Sequence, residues 1–341
     1  MKMIQVDFRS DTLTKPTQAM MQTMINAPIG DDVFDEDPTV KELENYAANL
    51  FGKEAGLYCP SGTMTNQIAI KINTQPQDEV ICHEHSHVYL YEGGGMAFNS
   101  AVSTRLVSGD RGLLTVDSIA DAINPEAIYS AATKLVVLEN THNRGGGSCY
   151  ELNVLQEISA FCKNKNLKLH LDGARICNAI VAKKYNAKDV GVLFDTISVC
   201  LSKGLGAPVG SVLLASAEEI KKAKRVRKVF GGGMRQAGFI AAAGLYALQN
   251  NIERLQIDHD NATKLGEALQ QASYIDHVMP IETNIVVYKL KDEINLENHL
   301  AALRNNGILA VQFGKQRVRM VTYYEITDAM MQHAVTVIKN L

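Results

Sequence analysis

Residues 133–140 read TKLVVLEN, residues 153–166 NVLQEISAFCKNKN and residues 167–173 LKLHLDG, and this succession decides the fold. The first and third are short, continuous apolar runs, the pattern of strands buried on both faces. The segment between them has the length and spacing of a helix. Outward from this unit the alternation continues. AGLYC (55–59) precedes a helical stretch over 62–73, and AVSTRLV (101–107), TISVCLS (196–202) and VGSVLLA (209–215) also read as buried strands. Strands alternating with helices predict an α/β fold whose mostly parallel sheet carries helices on both faces. From about residue 235 the pattern changes. One long helical reading, broken near 250, is followed by NIVVYKL (284–290), a helix near 295–306, RVRMVTYY (317–324) and a last helix from about 328. These pieces predict a smaller α+β unit, and the chain divides into a large unit over 1–248 and a small one over 249–341.

Composition narrows the function classes. The chain has 341 residues, 46% hydrophobic and 21% charged. That length suits about two domains and a core that needs no disulfide or metal staple. The balance of 34 Lys+Arg against 37 Asp+Glu leaves a net charge of −3, without the electrostatic footprint of a nucleic-acid or membrane binder. Six scattered cysteines without a CxxC pair read as reduced thiols, hence a cytoplasmic protein. Asp7, Arg9 and Asp11 stand where a signal peptide needs an apolar run, and no stretch of 18 apolar residues occurs.

In parallel sheets, ligands bind beyond the carboxyl ends of the strands. Asp172 follows LKLHL directly and Arg175 stands three residues on. Alone, Asp172 serves equally as a turn cap and Arg175 as a surface cation. Lys203 lies between the apolar TISVCLS and the turn GLGAPVG. A lysine at the edge of a core can lose its charge to burial and attack a carbonyl. Ser61-Gly62-Thr63 sit between a strand and a helix, where free backbone N–H groups and the helix dipole favour an anion. A plain serine cap has the same signature. His83, His85 and His87 alternate, which invites a metal if they share a strand face, although the segment reads better as a strand end followed by a helix or loop. His87 then offers a ring to stack on a flat ligand. The glycine triplets at 93–95, 145–147 and 231–233 fit no dinucleotide fingerprint, and no GxxxxGK[ST] loop occurs. A lysine, an aspartate, an anion site and a stacking histidine match the aldehyde, pyridine nitrogen, phosphate and flat ring of pyridoxal phosphate.

At this point the sequence resembles the low-specificity L-threonine aldolases, of the aspartate-aminotransferase-like class of pyridoxal-phosphate enzymes. The resemblance runs through Phe8-Arg9-Ser10-Asp11-Thr12, Gly30-Asp31-Asp32-Val33, Pro60-Ser61-Gly62-Thr63, Leu138-Glu139-Asn140-Thr141-His142-Asn143, Leu171-Asp172-Gly173-Ala174-Arg175, Cys200-Leu201-Ser202-Lys203-Gly204-Leu205-Gly206 and Gly231-Gly232-Gly233-Met234-Arg235-Gln236. It implies that Lys203 holds the cofactor covalently, Asp172 pairs with its ring nitrogen and His87 stacks on its face. Ser61, Gly62, Thr63 and Ser202 would bind the phosphate. Ser10, Arg175 and Arg319 would clamp the substrate carboxylate, with Arg175 also beside the cofactor. Lys228 and Arg235 would contribute to a site shared across a dimer, within a homotetramer. The first 14 residues would reach the active site. Phe34 departs from an expected tyrosine, and Tyr129 from an expected histidine near the substrate's β-hydroxyl.

The implied reaction is cleavage of L-threonine or L-allo-threonine to glycine and acetaldehyde. The base is open among His87, Tyr129 and a bound water. A β-eliminating lyase or aminotransferase on the same scaffold is the nearest alternative, and a metal-dependent hydrolase using His83, His85 and His87 the more distant one.

Overall fold

The computed structural model describes residues 5–341, and a seven-stranded sheet forms its centre. Across the sheet the strands run in the order Ala55–Cys59, Ser211–Ala215, Thr196–Cys200, Lys168–Gly173, Thr133–Glu139, Glu79–His83 and Ser103–Val107. Neighbours from Thr196–Cys200 to Ser103–Val107 are parallel. Ser211–Ala215 alone runs backwards, antiparallel to both of its neighbours. Its reversal has a simple cause. Only residues 201–210 separate it from Thr196–Cys200, too few for a parallel crossover of about a dozen residues or more. Gly206 and Gly210 turn the chain at φ of 87° and 112°, where a side chain is strained. The turn carries Lys203, and the carboxyl ends of the other six strands share its edge of the sheet.

Alternate strand residues enter opposite layers, as the pleat requires. Leu138, Leu171, Val199 and Leu214 join one apolar cluster with the helices Pro38–Phe51, Leu152–Asn164 and Gly238–Asn250. On the other face, Leu57 and Leu213 meet Ile68 of the Gly62–Asn73 helix, while Val80 and Val137 meet Ile70. The run at 101–107 departs from expectation. It is a strand only over Ser103–Val107 and is largely exposed, because it forms the sheet edge beside the short Gly95–Ser100 helix.

The C-terminal part builds a second, antiparallel sheet in the order Val311–Gln312, Arg317–Val321, Ile285–Leu290, Ile275–Val278. Its apolar cluster draws on the helices Leu255–Gln270 and Asp328–Asn340 and also takes Val6 and Phe8. Val6–Asp7 pairs in parallel with Ile308–Leu309, so the N-terminal segment is anchored in this second layer before it turns towards residue 11. The long helical reading from 235 breaks into Gly238–Asn250 and Leu255–Gln270. At the break, the side chain of Asn251 donates to the Leu205 carbonyl at 2.7 Å and steadies the Lys203 turn. No helix among the described residues is long and apolar enough to cross a membrane.

Glu44 ties the Pro38–Phe51 helix to the sheet by accepting the Tyr58 N–H at 2.7 Å. Burial pushes its carboxyl up to about 7, against the smaller opposing effects of that bond and of Arg227. The native state therefore keeps a proton that the unfolded chain loses near an ordinary carboxyl pKa of about 4.3, and stability falls as pH rises through about 7. Glu44→Gln keeps the acceptor oxygen and removes the titration. Urea unfolding between pH 5 and 8 should show a flatter profile in this variant, by on the order of 2–3 kcal/mol across the window.

Candidate active site

Register on the two central strands sets the site. Glu139 pairs with Asp172, so their side chains leave the same face at the carboxyl end of the sheet. Both are buried, as is Glu92 nearby. Each carboxylate is met by donors. Asp172 accepts from Asn66 Nδ2 at 3.0 Å and from the Ala174 N–H at 3.1 Å. Glu139 accepts the backbone N–H groups of His87 and Asn143, both at 2.8 Å. Glu92 accepts from Asn66 Nδ2 at 2.8 Å and Gln67 Nε2 at 2.7 Å, and its Oε1 lies 2.9 Å from His87 Nδ1. Burial and the charge of Asp172 push the Glu139 carboxyl up. Burial does the same to Glu92 and outweighs the bond from His87. Burial disfavours the His87 imidazolium, but the Glu92 bond and the Asp172 charge overcome it and leave the ring more basic than usual. Three buried carboxylates thus surround one histidine, a site short of positive charge.

Around this cluster the other strand ends contribute. Lys203 is half-buried in the turn after Thr196–Cys200, its carbonyl accepting the Gly206 N–H at 2.8 Å. Gly62 opens the helix Gly62–Asn73, where first-turn N–H groups have no helical partner. Ser61 Oγ caps this helix by accepting the Met64 N–H at 3.2 Å, which leaves its own proton free to donate. Beneath Gly62, Ser211 Oγ is buried without a hydrogen-bond partner. Ser202 Oγ lies 3.5 Å from Cys200 Sγ.

A second group gathers from distant parts of the chain. Arg175 is buried, and its Nε and Nη2 donate to the two oxygens of Asp11, both at 2.7 Å. Asp11 takes the Nε–Nη2 side of Arg175, and the Nη1 side, with the second Nη2 hydrogen, stays open for the carboxylate that the resemblance implies. Burial would raise the Asp11 carboxyl, but Arg175, Lys203 and Asn284 hold it down at about 2. Arg319 donates to Asn143 Oδ1 and the Arg9 carbonyl, each at 3.0 Å, while its buried Nε has no partner. Burial and the neighbouring Arg175 depress its pKa to about 10.

Other expected residues lie elsewhere. Tyr129 is not brought to the cluster. It is 87% exposed, and its loop is held at the start of the sheet, where Asn124 bonds Glu79 and the Ala131 carbonyl. The length of the Thr133–Glu139 strand, roughly 20 Å, separates that end from Asp172. His83, His85 and His87 do not converge. His83 Nε2 faces the Gly109 carbonyl at 3.2 Å and its Nδ1 accepts the His85 N–H, because the strand ends at His83 and His87 begins a short helix. Among the described residues, the group close enough to hold a metal is His87, Glu92 and Asp172. Ser10 caps the turn Asp11–Leu13. Arg235 donates to Asp31 at 2.9 Å and lies over the exposed ring of Phe34. Lys228 stands on the same rim, beside Gly233. The triplet 145–147 serves close packing: a Cβ at Gly145 would lie 1.8 Å from the Arg111 carbonyl oxygen. The fold adds Asp11, Asn66, Glu92, Glu139, Asn143 and Ser211. Asp11, Glu139 and Asn143 stand inside the quoted motifs, but nothing in their spacing says what they face.

The β-eliminating lyase family matches residues 7–293. The low-specificity L-threonine aldolase of Escherichia coli (strain K12) is 45% identical over 84% of this chain and 85% of its own. Low-specificity L-threonine aldolase 1 of Arabidopsis thaliana is 40% identical over 98% of this chain and 96% of its own. The solved threonine aldolase of Leishmania major superposes with a TM-score of 0.84 at 21% identity, covering 98% of both chains. The fold and site are those of a pyridoxal-phosphate enzyme. The chain belongs to the β-eliminating lyase family and, within it, to the low-specificity L-threonine aldolases.

The residues present fit pyridoxal phosphate. The carboxylate cluster, short of positive charge, suits a protonated ring nitrogen, and the orphaned Ser211 hydroxyl beneath the helix start at Gly62 suits a phosphate. Glu139→Gln tests how far the cluster depends on one acceptor. A carboxylate serves two N–H groups here and an amide has one oxygen, so one donor is left facing an NH2 group. Urea unfolding should show a loss of about 1–3 kcal/mol at neutral pH.

Proposed function

We propose that this protein cleaves L-threonine and L-allo-threonine to glycine and acetaldehyde with pyridoxal phosphate as cofactor. The observation that carries the reading is the common sheet edge of Lys203, Asp172 and the His87–Glu92 pair. The relatives' names support it.

When bound, the cofactor supplies an electron sink that makes a Cα–Cβ bond of the substrate breakable. Lys203 would hold it through Nζ and yield it to the substrate's amine. Asp172, fixed by Asn66, would keep the ring nitrogen protonated. The Gly62 and Thr63 N–H groups, with Ser61, Ser202 and Ser211, would hold the phosphate. The spare Nη1 of Arg175 and the partnerless Nε of Arg319 would take the α-carboxylate, with Ser10 beside them. His87 would stack on the ring and act as the base. With its Nδ1–H donated to Glu92, Nε2 would be free to take the β-hydroxyl proton as the bond breaks. Exposed Phe98, Ile128 and Tyr129 support association with further copies of this chain. In a homotetramer, Lys228, Arg235 and Tyr129 would complete a neighbouring subunit's site. The buried, unpaired thiols agree with a cytoplasmic protein.

Product analysis is the direct test. Purified holoenzyme with L-threonine should release glycine and acetaldehyde in equal amounts, and Lys203→Ala should lose at least about 10³-fold in kcat. A keto acid with ammonia would favour the eliminating or transaminating alternative. Proton transfer gives a second expectation. His87 must be neutral to act, so kcat/KM should fall on acidification with a pKa above the ordinary 6.5 or so. Glu92→Gln removes the neighbouring charge and should move that limb to lower pH. An unmoved limb would assign the base elsewhere.

A further inference from the structure

Asp11 has no place in the chemistry above, yet it is fully buried beside the carboxylate pocket. Its contacts are specific. Both oxygens are taken side-on by Arg175 Nε and Nη2, and Asn284 Nδ2 donates to Oδ2 at 3.2 Å while also holding the Thr322 carbonyl at 3.0 Å. The Asp11 carbonyl accepts the Thr14 hydroxyl at 2.7 Å, which closes the turn that presents the carboxylate. Side-on pairing fixes the guanidinium plane, because two parallel N–H···O bonds leave it no rotation. The remaining edge of Arg175 is Nη1, and Arg319 adds an Nε that nothing in the described chain satisfies. The charges point the same way: Arg319 is half-buried beside this pair and, among the described residues, has no carboxylate of its own within salt-bridge distance.

We infer that Asp11 is a positioning residue that sets the angle at which Arg175 meets the substrate's α-carboxylate, and so controls affinity for the carboxylate end of an amino acid rather than the bond-breaking step. This rests on the proposed amino-acid cleavage, and it assigns a purpose to the N-terminal segment. That segment crosses from the second apolar cluster at Val6 and Phe8 to the site at Asp11.

The test uses holoenzyme and two ligands, glycine and ethanolamine, an amine without the carboxylate, each titrated by the absorbance of the bound cofactor. Asp11→Asn should weaken glycine and raise the KM for L-threonine by on the order of tenfold, with kcat within about threefold and ethanolamine binding unchanged. Asp11→Glu keeps the charge in the pocket but moves the guanidinium, and should show the same split, so the inference is open to test even if the amide variant does not fold. In an Arg175→Lys background, which cannot pair side-on, Asp11→Asn should have no further effect on glycine. Unchanged glycine affinity in both Asp11 variants, equal losses for glycine and ethanolamine, or a fall in kcat at constant KM would each overturn the assignment. Failure of the parent holoenzyme to bind glycine at all would instead defeat the amino-acid reading itself.

Discussion

Two carboxylates side by side at the end of a hydrophobic sheet are expensive, and much of this protein is arranged around them. The pairing of Glu139 with Asp172 is fixed by strand register, and a slip of one residue between the two strands would put their side chains on opposite faces of the sheet. Once there, they need donors, since an unpaired buried charge costs several kcal/mol. Asn66 reaches Asp172 and Glu92 from the Gly62–Asn73 helix, and its amide oxygen lies 3.1 Å from His170 Nε2. His170 is itself buried and held by Thr196. The backbones of His87 and Asn143 turn inwards to serve Glu139, and through Asn143 the same carboxylate indirectly seats Arg319. One register thereby ties together the histidine, the carboxylate cluster and the arginine.

The second constraint is the short return at 201–210. A connection too brief to cross the sheet must reverse it, and the reversal lifts Lys203 out of the strand at the edge where the parallel strands end. Gly210 packs so close to Tyr58 that a Cβ would stand 2.5 Å from the ring, and Asn251 holds Leu205 from the side. The lysine is therefore carried on a turn braced by Tyr58 and Asn251 rather than on a free loop, which holds its aim.

The N-terminal segment joins the two halves. Val6 and Phe8 are anchored in the C-terminal cluster, and a few residues later Asp11 meets Arg175 behind the central sheet strand. Arg319 comes from the second sheet and completes the same pocket. The two layers are thus coupled by buried charge as well as by apolar contact, at the place where a substrate carboxylate would be bound.

Apolar periodicity determined the strands Ala55–Cys59, Thr133–Glu139, Lys168–Gly173, Thr196–Cys200 and Ser211–Ala215 and the break near residue 250, because burial on both faces leaves continuous hydrophobic runs, but it did not single out the strand Glu79–His83 or the helix Pro38–Phe51. The strand-end rule likewise singled out Asp172 and Lys203, each one step beyond such a run. The exposure of Ser103–Val107 depended on sheet order, which periodicity does not encode, whereas the reversal of Ser211–Ala215 follows from the short connection at 201–210. Asp11, Glu92 and Glu139 looked like ordinary acidic residues, since their roles come from groups as far away as 164 positions along the chain. The same limit applies to Tyr129. A position that the resemblance set near the substrate became, in this chain's own fold, a side chain at the far end of the sheet, because a strand carries its two ends apart by its full length.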